Sequence, residues 1–186
     1  MKIDENLQWI LSYYRNSEIN GALFFGQLAR SLKPSAIQCD MTRHFADEAQ
    51  HASYWTNCLA KLEAEPLKLG VSYQDQYIAV AGMPANLMEI LAITQVFENR
   101  VITQYNLHAA TARLPSEVKD TLQIIMTDEQ WHLEWIRNAL TNMEPDYGKD
   151  NIRQTLKRFT DADREVYQKT ILEHADRINH LTLASR

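Results

Sequence analysis

The placement of proline is the strongest constraint on what this chain can fold into. Its five prolines, Pro34, Pro66, Pro84, Pro115 and Pro145, are spread through 186 residues that contain only 5 glycines. Gly and Pro cost a helix interior roughly 1 and 3 kcal/mol, so their scarcity favours helix and their positions mark its ends. They leave four stretches of about 30 residues, one short stretch between Pro66 and Pro84, and a tail.

Each long stretch has the rhythm of a helix with one apolar face. After Asp4, a candidate N-cap, Leu7, Ile10, Leu11, Tyr14, Ala22, Phe25, Leu28 and Leu32 recur mostly at spacings of 3 and 4. A second helix is predicted from near Pro34 to about Glu65, and a third from about Ala85 to Arg113. A fourth starts near Pro115 and Ser116 and stops before Pro145. A fifth, from about Asp150 to Leu181, carries Ile152, Leu156, Phe159, Val166, Ile171, Ala175 and Ile178. The stretch from Pro66 to Pro84 holds Gly70, Gly82, Tyr73 and Tyr77 and reads as a connection. Thirty helical residues span roughly 45 Å, and nineteen extended residues reach roughly 60 Å. The connection is therefore long enough to cross the whole bundle. The expected fold is all-α: a four-helix bundle over residues 1–145, with one long crossover between helices 2 and 3. Residues 146–186 form a C-terminal fifth helix that packs on the bundle or on a partner subunit, as in a homodimer.

Composition narrows the function classes. The apolar fraction of 45% and the charged fraction of 23% are those of an ordinary globular chain. Nineteen basic and 24 acidic residues give a formal charge of −5, which argues against nucleic acid or a membrane surface as partner. No apolar run is long enough to span a bilayer, and the first ten residues, MKIDENLQWI, lack the apolar core of a signal peptide. The expected location is the cytoplasm. The two cysteines, Cys39 and Cys58, are too few for a disulfide scaffold or a four-thiolate site, and read as buried small apolar residues.

The chemistry lies in the acids and histidines. Two Glu-x-x-His motifs occur, Glu48 with His51 and Glu129 with His132, and each is preceded by an aspartate, Asp47 and Asp128. Residues i and i+3 share a helix face. A glutamate on the preceding helix matches each motif: Glu18 lies 30 residues before Glu48, and Glu98 lies 31 before Glu129. Measured from Pro34, Glu18 and Glu48 sit 16 and 14 residues away; measured from Pro115, Glu98 and Glu129 sit 17 and 14 away. Equal offsets in antiparallel hairpins mean equal depth, so all four carboxylates belong near mid-bundle. Four carboxylates and two imidazoles in a dry core are costly unless compensated. Two divalent cations supply that compensation, and oxygen with imidazole donors suits Fe or Mn.

On these residues the chain resembles the ferritin-like di-iron carboxylate superfamily, which includes rubrerythrins, bacterioferritins and di-iron oxygenases. The resemblance covers about residues 4–144. It implies Glu18 with His51 as terminal ligands of one metal, Glu98 with His132 as those of the other, and Glu48 and Glu129 as bridges. It implies that Asp47 and Asp128 each accept the outer N–H of the histidine on the other motif helix. Tyr105, seven residues after Glu98, resembles a tyrosine near the metals in rubrerythrins; a core tyrosine with a satisfied hydroxyl is the plainer alternative. The implied cofactor is two Fe ions, with Mn/Mn or Mn/Fe as alternatives. His44, one turn before Glu48, reads either as a base beside the site or as a polar contact near the helix start. The position that matches it in helix 4 is Ile125. Gly21 and Gly26 either open room for a substrate or O2 or allow close helix packing. Trp55, Trp131 and Trp135 read as core or interface residues.

The leading functional expectation is a non-haem oxidoreductase that activates O2 or H2O2 and acts on a small organic substrate admitted near Gly21 and Phe25. The chain has no Cys-x-x-Cys, so no rubredoxin-like iron site is expected. Electrons would come from an external donor or from the substrate. A ferroxidase or iron-handling protein, or a rubrerythrin-like peroxide reductase, is the alternative. A metal-free interaction bundle is the third class.

Overall fold

A computed structural model describes residues 3–70, 73–111 and 114–183, with the side chains of 169–172 and 182–183 outside the description. The side chain of Ile171, counted above in the last helix's apolar face, is one of these, and Arg113, at the expected end of the third helix, lies outside the described residues. The described residues form α1 (Glu5–Ser31), α2 (Ala36–Lys61), α3 (Tyr73–Ala81), α4 (Leu87–Ala109), α5 (Ser116–Asn142), α6 (Glu144–Tyr147) and α7 (Lys149–Leu183), with no strand among them.

Local chemistry sets the helix ends. The Asp4 carboxylate accepts the Asn6 and Leu7 amides at 2.8 and 3.3 Å and starts α1. Ser35, not Pro34, caps α2 by accepting the Gln38 amide at 3.2 Å. The second helix is also shorter than expected: it stops at Lys61, and Glu63 turns the chain with a φ of 55°. Asn86 caps α4 by accepting the Glu89 amide at 3.0 Å. Pro115 precedes α5, where its missing N–H costs nothing.

Side-chain pairings give the helix directions. Between α1 and α2, Arg15 meets Thr56, Gly21 faces Glu48 and Gly26 faces Phe45, so one number rises as the other falls. Between α2 and α5, His44 meets Trp135, Asp47 meets His132 and His51 meets Asp128, again in opposite order. Between α1 and α4, Tyr14 touches His108 while Glu18 meets Tyr105. Val101 and Tyr105 of α4 pack in one cluster with Val118, Leu122 and Ile125 of α5; Met88 and Leu91 pack in another with Ile136, Ala139 and Leu140. The helices α1 and α5 therefore run one way, and α2 and α4 the other.

The segment between α2 and α4 climbs beside α1. The Gln8 amide donates to the Glu65 carbonyl, the Leu67 amide donates to Ser12 Oγ at 2.9 Å, and Gln74 Nε2 donates to the Ser17 carbonyl at 3.4 Å. This segment is more than the connection expected from its glycines, because it contains the nine-residue α3. Tyr73 and Tyr77, one turn apart, are both buried and give α3 an apolar stripe. Tyr77 packs edge-on against Phe97 and donates its hydroxyl to the Phe159 carbonyl at 2.7 Å. A short run of nine residues is hard to read as a helix from periodicity, and here the tertiary partners stabilise it.

The last helix packs on its own chain, against α1, α3 and α4. Ile152, Phe159, Val166 and Ile178 are buried along it. Asp163 accepts from both Arg100 and Tyr73, and His174 Nε2 lies 2.8 Å from the Tyr14 hydroxyl. No described helix is long and apolar enough to cross a membrane.

Candidate metal centre

Four helices deliver buried acids and histidines to one level of the bundle. Glu18 comes from α1; His44, Glu48 and His51 from α2; Glu98 from α4; Glu129 and His132 from α5. None of these seven residues is more than 6% exposed. Two groups each bring their donor atoms close enough to hold a metal ion: Glu18, Glu48, His51 and Glu129, and His44, Glu48, Glu98 and His132. Glu48 belongs to both. Glu129 also faces both, since its two oxygens lie 3.4 Å from His51 Nδ1 and 3.3 Å from His132 Nδ1. His51 Nδ1 and Glu129 Oε1 are buried, face each other and have no hydrogen-bond partner. Native interiors rarely leave such atoms unsatisfied, and a cation between them would satisfy both. The residues present therefore fit a pair of metal ions.

The outer contacts of the three imidazoles fix which nitrogen carries the proton. His51 Nε2 lies 3.3 Å from Asp128, and His132 Nε2 lies 3.5 Å from Asp47. Asp128 accepts the N–H of His51, whereas Asp47 faces His132 Nε2 without a hydrogen bond; both aspartates leave Nδ1 facing the carboxylates. His44 has the opposite arrangement. Trp135 Nε1 donates to His44 Nδ1 at 3.3 Å, so that nitrogen holds a lone pair. The proton of the neutral ring is then on Nε2, which faces Glu98 Oε1 at 3.1 Å and Glu48 Oε1 at 3.3 Å. Burial holds His44 neutral, with its pKa pushed down to about 4. His44 Nε2 thus faces the carboxylates without completing a hydrogen bond to either, and the ring is sandwiched between those of Phe25 (4.0 Å) and His132 (3.7 Å). Its helical spacing from Glu48 is the only sequence signal for it. The half-repeat gives Ile125 at the matching position, and only packing against Trp135 brings the donor into the cluster.

The other expected residues have definite places. The Tyr105 hydroxyl donates to Glu18 Oε1 and accepts from Trp55 Nε1 at 3.0 Å, so Tyr105 is both beside the carboxylates and a core tyrosine with a satisfied hydroxyl. A Cβ on Gly21 would overlap Glu48 Oε2, so the missing side chain admits that carboxylate. A Cβ on Gly26 would stand 3.1 Å from the Phe45 ring, so this glycine permits close packing. Cys58 is buried but Cys39 is exposed, contrary to the sequence reading. Cys39 lies in the first turn of α2, short of the level at which that helix is enclosed.

Electrostatics of the metal-free cluster follow from crowding. Burial, then the charges of Glu18, Glu98 and Glu129, raise the Glu48 pKa well above its usual value. Burial and the charge of Glu98 push Glu129 up to about 7. Burial acts to deprotonate His51, but the carboxylates of Glu129 and Glu18 beside its Nδ1 outweigh this and push it up to about 12. The same opposition, with Asp47, Glu129 and Glu98 as partners, raises His132. At pH 7 both imidazoles that face the carboxylates are therefore protonated and must lose a proton before a metal can take their place. Loading two divalent ions at pH 7 should release about two or more protons per chain, and affinity should rise by about tenfold per pH unit for each proton released. Calorimetry in buffers of different ionisation enthalpy reads this directly. Metal uptake with no proton release would contradict the assignment of His51 and His132.

No protein-family model, no curated protein and no solved structure matches the chain.

Proposed function

We propose that the chain is a ferritin-like dinuclear metal oxidoreductase, with two Fe ions, or Mn in place of one or both, held at mid-bundle. The observation that carries this reading is the sharing of Glu48 between two buried donor groups. A single structural metal would need only one such group, and a carboxylate common to two groups is what two neighbouring ions would require. In this reading Glu18 and His51 are terminal ligands of one ion and Glu98 and His132 of the other, with Glu48 and Glu129 between them. The helix directions, with a long crossing between α2 and α4, support the ferritin-like bundle.

A pair of such metals supplies two electrons to O2 or H2O2. The protein's own part is to hold and shield the site. Glu48 and Glu129 each have two oxygens with which to follow changes in metal charge. Asp47 and Asp128 fix the ring orientation of the two ligand histidines, and His44 places a proton against Glu98. Phe25, Trp55 and Trp135 keep bulk water out. The Tyr105 hydroxyl, bonded to Glu18, is an oxidisable group beside the carboxylates and is proposed as a participant in the reaction. Reducing equivalents come from an external donor or from an organic substrate.

The test is metal analysis of protein purified with Fe(II) and Mn(II) present, then anaerobic Fe(II) loading and exposure to O2. Two metals per chain and O2 consumption dependent on them are expected. Content far below two under every loading would overturn the reading. Ligand binding at about a thousand times Kd stabilises by about 4 kcal/mol, and a chain of this size shifts by about 2–4 °C per kcal/mol. Chelation should therefore lower Tm by about 8–16 °C.

A further inference from the structure

We infer that a cavity between α1, α3 and α4 binds a small, uncharged, largely apolar molecule against the Glu48 side of the centre. Its role as a substrate site rests on the proposed dinuclear centre; its ligand preference rests on the cavity alone. The cavity has a volume of about 330 Å³. That is room for roughly eleven waters at ~30 Å³ each, the low end of the range for organic ligands.

Its floor is made of Glu18, Glu48 and Glu98, so it touches both donor groups, while fully buried Glu129 lies outside its lining. This cavity thus approaches the centre from the side of Glu18, Glu48 and Glu98. The walls are Phe25, Ile93 and Phe97 from the bundle and Ile78 from α3, surfaces that favour an apolar body. Met83, 74% exposed, stands at the rim. The outer wall is fixed, because Tyr77 anchors α3 to the Phe159 carbonyl at 2.7 Å. A cavity that served only to admit metal ions would not need this wall of aromatic and aliphatic side chains.

Charge decides the rest. Besides the three glutamates, Asp75 lines the cavity, and among the described residues no Lys or Arg does. An anion entering it would lose its hydration with no cationic side chain to replace it. The carboxylates thus exclude an anion, and the apolar walls favour a neutral body over a hydrated cation, with one or two rings or an equivalent aliphatic frame.

The experiment is calorimetric titration of the full chain, as purified, with 2-naphthol and with 2-naphthoate, recording metal content on the same samples. 2-Naphthol should bind, and 2-naphthoate should bind at least tenfold more weakly. Ile78→Trp, which puts an indole into the cavity from α3, should cut 2-naphthol affinity at least tenfold without changing metal content. Val101→Trp does the same from α4 and separates filling from local disturbance of α3. The inference is overturned if 2-naphthol does not bind, if both filled variants bind it as the parent does, or if the naphthoate binds as tightly. Two metals per chain without 2-naphthol binding removes this inference and leaves the centre standing. Binding of 2-naphthol that responds to the fillings, in a chain that takes up no metal, removes the centre and leaves the cavity.

Discussion

Glu48→Gln should abolish binding of both metal ions, whereas Glu98→Gln should spare one. Glu48 is the only carboxylate common to the two donor groups, and Glu98 belongs to one of them. The amide keeps the shape of the side chain but carries no charge and offers one oxygen. Metal stoichiometry per chain should fall from two to near zero in the first variant and to about one in the second. The metal-free fold should tolerate Glu48→Gln well. In the absence of metal, burial and three neighbouring glutamates already oppose ionisation at this position, so removing the charge relieves crowding. Tm of the chelated variant should equal or exceed that of the chelated parent. His44→Gln provides the contrast. If His44 Nε2 carries its proton toward the carboxylates, its loss should leave two metals bound; a fall to one would make His44 a ligand and displace the reading of its contact with Trp135.

Much of this was legible in the sequence because helix geometry converts spacing into depth. Offsets of 16, 14, 17 and 14 residues from Pro34 and Pro115 are enough to bring Glu18, Glu48, Glu98 and Glu129 to one level, and the structure draws all four together. What spacing does not carry is contact across non-adjacent elements. His44 has no counterpart in the second half, and its significance comes from Trp135, 91 residues away. The helix α3 is too short for its period to stand out, and it is held by Tyr73 and Tyr77 contacts to α4 and α7. The tail's apolar stripe could be read as buried, but its partner could not. The decisive contacts are pairs such as Tyr14 with His174, 160 residues apart. Residue type alone also misplaces Cys39, since a small apolar residue at the first turn of a helix need not reach the core.

Gly21→Ala should separate the stability of the fold from the capacity to bind metal. Gly21 lies inside α1, where Ala is favoured over Gly by about 1 kcal/mol. The helix φ there is ordinary, so no conformational need keeps the glycine. Its one constraint is space: a Cβ would overlap Glu48 Oε2. That oxygen is the end of a flexible side chain, so the carboxylate can swing aside at little cost to the fold, but it then leaves the position between the two donor groups. The chelated variant should be as stable as the parent or up to about 1 kcal/mol more stable, a rise of a few degrees in Tm. Its metal affinity should fall at least tenfold, although residue 21 offers no donor atom. Thermal melts with and without metal, with metal analysis alongside, measure both quantities in one preparation. A variant that keeps two tightly bound metals would show that Glu48 is not held where Gly21 admits it, and the shared-carboxylate centre would have to be redrawn around Glu129. A gain in chelated stability with a loss of metal would show instead that this glycine is kept for the site, against the preference of its own helix.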